Sequence, residues 1–205
     1  MSEKTMKSKQ RILKSAKKLF ASRGYKSTTI RDIANDVNLN SSLISYHFDG
    51  KEGLLKELIS ELYDSELPAL SEVISRPVSN KDEFLVRLEI FMESNIKVGI
   101  KNWELVQIIT NETYELSKID GFNAANISSL QAFASFIESA QRVDVIRKEI
   151  SCLRLADSIY ALLVDQIKFW KLNKEHMNHD ISKQDVRSKW ITETLDIFIY
   201  GSITK

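Results

Sequence analysis

Two prolines and six glycines are all the turn punctuation that 205 residues carry. A sandwich or barrel needs many more tight turns, so the chain is expected to be all-α. Apolar residues make up 43% and charged residues 28%, which is enough apolar side chain for a core and enough charge for a wetted surface. The single Cys152 excludes an internal disulfide framework and a cysteine-based metal site, and is compatible with a reducing compartment. The longest unbroken apolar run, Ile159–Val164, is far short of a membrane span. The opening MSEKTMKSKQR has charge but no apolar stretch behind it, unlike a signal peptide. The expectation is a soluble, cytoplasmic, helical protein with no membrane partner.

A net charge of +1 hides an uneven distribution. Residues 1–56 hold 12 Lys or Arg against 5 Asp or Glu, while residues 57–205 hold 17 against 23. A basic first quarter on an acidic remainder points to an anionic partner for the N-terminal part, with nucleic acid foremost. A solvated basic face would carry the same charge, so the local pattern has to decide.

Ile12, Leu13, Ala16, Leu19 and Phe20 form one apolar stripe on a helix expected over about Lys7–Ser22, which Arg23-Gly24 closes. Thr29 reads as the N-cap of a short helix from Ile30 to about Asp36, with Asp32 as its capping-box partner. Asn38 sits where a left-handed turn residue is needed, and Asn tolerates that conformation. Asn40 then caps a third helix from Ser41 to about Phe48, with Ile44 and Phe48 facing inward. Two short helices joined by so tight a turn make a helix-turn-helix. The outer face of the second carries Ser41, Ser42, Leu43, Ser45, Tyr46 and His47. Small residues at its start allow close approach to another surface, and its hydroxyls and rings can meet phosphates or base edges in a major groove.

The stretch Thr28–Leu55, TTIRDIANDVNLNSSLISYHFDGKEGLL, resembles the DNA-binding signature of the TetR/AcrR family of bacterial transcriptional regulators. So does the preceding helix end LFASRGY, and the length fits too. The resemblance covers about residues 8–56. It implies that Thr29 caps and binds phosphate, and that Arg31 reaches a phosphate or a base. It implies that Ser41, Ser42, Leu43 and Ser45 meet bases or backbone, that Tyr46 and His47 contact phosphates, and that Lys51 is the phosphate-binding lysine of Phe-x-x-Lys-Glu. The family often has Gly at the position of Asn38 and Tyr at the position of Ser45.

Domains are expected at 1–50, the DNA-binding part, and 51–205, a helical ligand-binding and dimerisation part. Pro68 is expected to kink or end the first helix of that second part. Further helices are expected over about Trp103–Ser117, Phe122–Val143, Cys152–Asn173 and Ser182–Ile203. The segment Cys152–Leu172 is apolar on more than one side, so it must be buried on more than one side. Core helices of a monomer or a subunit interface would each satisfy that. The resemblance implies a homodimer through the last two helices, with Tyr160, Leu163, Ile167, Trp190, Leu195 and Phe198 as interface candidates and a palindromic double-stranded operator as target. It also implies a small-molecule effector pocket, for which Phe91, Asn95, Trp103, Gln107, Asn111, Tyr114 and Phe136 are candidates beside their plain reading as core. His176 and His179, spaced i and i+3, lie in a polar stretch and read as a solvated loop, with Glu175 and Asp180 nearby. No phosphate loop, nucleophile elbow or His-Glu metal motif occurs, so no catalytic residue, metal or cofactor is expected. The expected function is a homodimeric repressor released from its operator by an effector. The competing readings are an activator of the same fold, and a helical small-molecule-binding protein or enzyme whose basic end is incidental.

Overall fold

The computed structural model describes residues 3–119 and 121–198, and every regular element among them is a helix. The chain forms two compact units, Met1–Ser65 with Glu104–Asp120, and Glu66–Trp103 with Gly121–Lys205. This differs from a division at residue 50, because a later segment returns to complete the N-terminal unit.

The first unit contains α1 (Glu3–Arg23), α2 (Ile30–Asp36), α3 (Ser41–Phe48), the start of α4 (Gly50–Ile74), most of α6 (Trp103–Asn111) and α7 (Thr113–Leu116). The stripe predicted on α1 is buried, with Ile12 and Ala16 fully so. Two polar ties fix α1 against the end of α2. The Ser15 hydroxyl donates to the Asp36 carboxylate at 2.7 Å, and the Arg11 guanidinium donates to the Val37 carbonyl at 2.8 Å. Gly24, with φ +86°, closes α1 in the left-handed region where a side chain is disfavoured.

The second unit contains the end of α4, then α5 (Lys81–Lys101), α8 (Phe122–Arg142), α9 (Cys152–Lys168), α10 (Trp170–His176) and α11 (Gln184–Phe198). Its core sets the rings of Phe84, Phe91, Phe133 and Phe136 among aliphatic side chains. Phe84 stacks on Phe136 at 5.3 Å, Phe91 meets Phe133 at 4.6 Å, and Tyr160 stands edge-on to Phe133 at 5.3 Å. Offset and edge contacts of this kind add to the area they bury, and burial pushes the Tyr160 phenol up to about 12. α5 and α9 approach closely at Gly99, where an added Cβ would lie 2.5 Å from the Ile167 side chain. Arg87 fastens the α4–α5 connection by donating to the carbonyls of Val73, Arg76 and Pro77 and to Glu83.

Several expected boundaries shift. Pro68 lies inside α4 without ending it. The helix loses one hydrogen bond there, yet Leu70 and Ile74 beyond it are buried and hold the next turns. The expected Trp103–Ser117 helix splits at Glu112, and the expected Cys152–Asn173 helix splits at Phe169, whose ψ of 9° leaves the helical range. His176 ends α10 while His179 follows the left-handed Asn178, so the two imidazoles do not share a helical face. Asp180 turns instead to Trp170 Nε1 at 2.7 Å, the Ser182 hydroxyl at 2.6 Å and Lys174 at 3.1 Å. The end of the expected last helix, to Ile203, lies outside the described residues.

Phe133 is fully buried and shares contacts with three other rings, so Phe133→Ala should destabilise the fold by about 3–5 kcal/mol. Ile127→Ala, at a side chain 55% exposed, should stay within about 0.5 kcal/mol. Urea unfolding followed by circular dichroism measures both, and equal losses would contradict this core.

Candidate nucleic-acid interface

The geometry of α2, the turn and α3 follows from three caps. At Thr29 the capping box is complete. The Asp32 amide donates to the Thr29 hydroxyl oxygen at 3.2 Å, and the Thr29 amide donates to the Asp32 carboxylate at 2.7 Å. The Thr29 hydroxyl also donates to that carboxylate at 2.6 Å, and these bonds hold the Asp32 carboxyl below its usual range. At the other end, Asn38 takes φ 52°. Its amide reaches the Asn35 carbonyl at 3.2 Å and the Leu39 amide reaches the Ala34 carbonyl at 2.9 Å, the Schellman pairing with Asn in the usual glycine position. Asn40 then caps α3, its side-chain oxygen accepting from the Ser42 amide at 3.0 Å and the Ser42 hydroxyl at 2.9 Å.

These caps bury Ile33, Ala34, Val37, Ile44 and Phe48 and leave the opposite face of α3 to solvent. Tyr46 is 84% exposed. Ser42, one helical turn before it, and Ser45 are exposed as well, while Ser41, Leu43 and His47 are half-buried. Thr29 and Arg31 are exposed at the start of α2. Lys51 is half-buried at the start of α4, its ammonium 4.2 Å from the centre of the Tyr25 ring and 3.4 Å from the Lys26 carbonyl. Burial lowers its pKa, and the nearby Glu112 charge opposes that shift. All nine residues expected to meet DNA therefore belong to one unit. A backbone-close, hydroxyl-rich helix end with an exposed phenol and flanking cations can offer donors to phosphate oxygens and base edges.

A model of "Bacterial regulatory proteins, tetR family" matches residues 12–58. Over 67 residues the chain is 39% identical to the probable HTH-type transcriptional regulator YttP of Bacillus subtilis (strain 168), which covers 33% of this chain and 32% of that protein. Over 107 residues it is 30% identical to the HTH-type transcriptional repressor KstR2 of Rhodococcus jostii (strain RHA1), which covers 50% and 52%. Residues 12–58 are therefore a TetR-family segment. It spans about a third to a half of the length of these curated relatives. The solved structure of the ketosteroid transcriptional regulator KstR2 of Mycobacterium tuberculosis has the same fold, with a TM-score of 0.76 over 96% of this chain and 95% of that one at 17% identity.

Outside this TetR-family module the expected sites fare differently. Phe91 and Phe136 are core residues packed ring to ring. Asn95 is half-buried and donates to the Phe91 carbonyl of its own helix. Trp103 is half-buried beneath the Lys171 ammonium, while Asn111 and Tyr114 are exposed. Gln107, Asn111 and Tyr114 fall in the first unit and the other four in the second. Among the interface candidates, Leu163 and Ile167 are buried within their own chain. Tyr160, Trp190, Leu195 and Phe198 are half-buried, the first three packed against that same core. The apolar side chains that α9 and α10 expose are Leu153, Val164 and Leu172.

Sequence reasoning missed two supports of the module. Gly53 lies so close to the Phe48 carbonyl that a Cβ there would clash with backbone. Tyr25, which carries Lys51, is itself held from α7; only the three-dimensional return of residues 104–120 reveals that.

The positive φ at Asn38 yields a stability prediction. Asn38→Val should cost about 1–2 kcal/mol in urea unfolding, because a β-branched residue resists the left-handed region. Asn38→Gly should match or exceed wild type. A valine variant as stable as wild type would mean that the turn has another geometry.

Proposed function

We propose that this protein is a homodimeric transcriptional repressor whose two α3 helices read a palindromic double-stranded operator and whose hold is released by a small, mostly apolar effector. The observation that carries the reading is the exposed Ser42, Ser45 and Tyr46 face of α3, set by the caps of a helix-turn-helix inside a segment of net charge +7. The family match at residues 12–58 and the repressor KstR2 among its relatives support the same reading. The cytoplasm is where such a target would be met.

Self-association is supported by exposed apolar side chains on the late helices. Leu153 and Val164 on α9, Leu172 on α10 and Ile197 on α11 are all at least 40% exposed. A twofold interface would bury them and present the reading helices in a symmetric pair. Four buried polar atoms among the described residues lack a hydrogen-bond partner, and two of them, the donor Trp103 Nε1 and the acceptor Gln166 Oε1, are compatible with an effector. Such an atom is costly to leave unmet, and a ligand's polar group that reached it would satisfy it. Release requires that the effector bind the shape unfit for DNA more tightly than the fit one, since equal affinity shifts nothing.

Electrophoretic mobility shifts test the DNA reading, and its rival, a helical ligand-binding protein or enzyme, predicts no salt-sensitive DNA binding at all. Tyr46→Ala and Lys51→Ala should weaken binding to every sequence, and Lys51→Ala should lower the slope of log affinity against log salt by about 0.9. Exchanges at Ser42 or Leu43 should instead change sequence preference, by about 1–3 kcal/mol at an affected base pair. Equal losses on operator and scrambled DNA for both groups would refute the division of roles.

The dimer is tested separately by analytical ultracentrifugation. Val164→Asp should shift the protein toward monomer while leaving its helical circular dichroism intact, because the side chain is not part of the chain's own core. An unchanged dimer would place the interface elsewhere.

A further inference from the structure

The loop after α1 has an unusual anchor. Once α1 ends at Arg23, the Tyr25 amide has no helical partner and finds one 87 positions away, donating to Glu112 Oε1 at 3.1 Å. An amide donating to a carboxylate forms a stronger bond than a neutral pair. Glu112 opens α7 and its side chain makes no capping bond to that helix, so its carboxylate serves the loop instead. A neighbouring tie joins Lys26 to Glu115 at 3.1 Å, but the Lys26 side chain is 72% exposed and such pairs contribute little. The same loop supplies both partners of the Lys51 ammonium, the Tyr25 ring and the Lys26 carbonyl. Both are uncharged, so they orient the cation without neutralising it, as a phosphate-binding lysine requires.

We infer that Glu112 is a positioning residue for DNA binding: its bond to the Tyr25 amide fixes the loop that aims Lys51 at the phosphate backbone. The inference rests on the DNA-binding reading proposed above. Glu112 touches no DNA in this scheme. It acts through Tyr25, and it lies outside the stretch 12–58 that carries the family match.

Two substitutions separate the hydrogen bond from the charge. E112Q loses the negative charge but keeps a carbonyl oxygen of the same reach. E112S loses the same charge and is too short to reach Tyr25, while serine is a favoured residue at a helix N-cap, so α7 is not weakened. Full-length variants are compared with wild type by fluorescence anisotropy on a short mixed-sequence DNA duplex over a series of salt concentrations, with thermal melts alongside. E112S should lose about 0.9 from the salt slope, the equivalent of one phosphate contact, whereas E112Q should keep the wild-type slope. The double variant E112S/K51A should lose no more slope than K51A alone, because both act on one contact. A wild-type slope in E112S, equal slopes in E112S and E112Q, or additive losses in the double variant would each overturn the inference while leaving DNA binding intact. A wild-type protein without salt-sensitive binding would overturn the DNA reading, and this inference with it.

Discussion

At Asn38 the chain enters a region of backbone space that most residues occupy only at a cost of about 1–2 kcal/mol, and this sets how α3 leaves α2. The two carbonyls at the end of α2 are satisfied within the turn, so no further loop residues are needed. With so short a connection, Ile33, Ala34 and Val37 on one side and Ile44 and Phe48 on the other can close over the stripe of α1. What remains outside is decided by subtraction. Ser42, Ser45 and Tyr46 face water because every apolar position of α3 that could turn inward has done so.

The caps were legible in the sequence because they are local. Thr29, Asp32, Asn38 and Asn40 act on amides and carbonyls within five residues of themselves, and the boundaries of α2 and α3 follow from them. The charge division was legible for the same reason that it needs no fold at all. Pro68 does not end α4 because a proline's local cost is outweighed by burial on its far side, which only the packed chain supplies.

Leu163 and Ile167 illustrate a different limit. An apolar helix face states that something covers it, but a helical pattern cannot tell the chain's own core from a second subunit. Here Leu163 joins the buried cluster of its own chain, and α5 meets Ile167 at Gly99, where the missing side chain lets it come close. The residues left uncovered, Leu153, Val164 and Leu172, are interleaved with them in sequence and differ only in which way the helix turns them. Glu112 was beyond reach altogether, since nothing in its own neighbourhood signals a partner 87 positions earlier.

The N-terminal unit is physically discontinuous in the chain: residues 104–120 complete it after about forty intervening residues have gone to build the other unit. Cutting the gene after the recognisable signature would therefore divide a compact unit rather than free one. A fragment ending near residue 65 would lack the neighbours that α6 and α7 supply, including the acceptor for the Tyr25 amide. Recombination between relatives meets the same obstacle. A chimera that grafts this reading head onto another body inherits a foreign third piece, and the Tyr25 amide is met only if that piece carries an acceptor of the same reach where Glu112 stands.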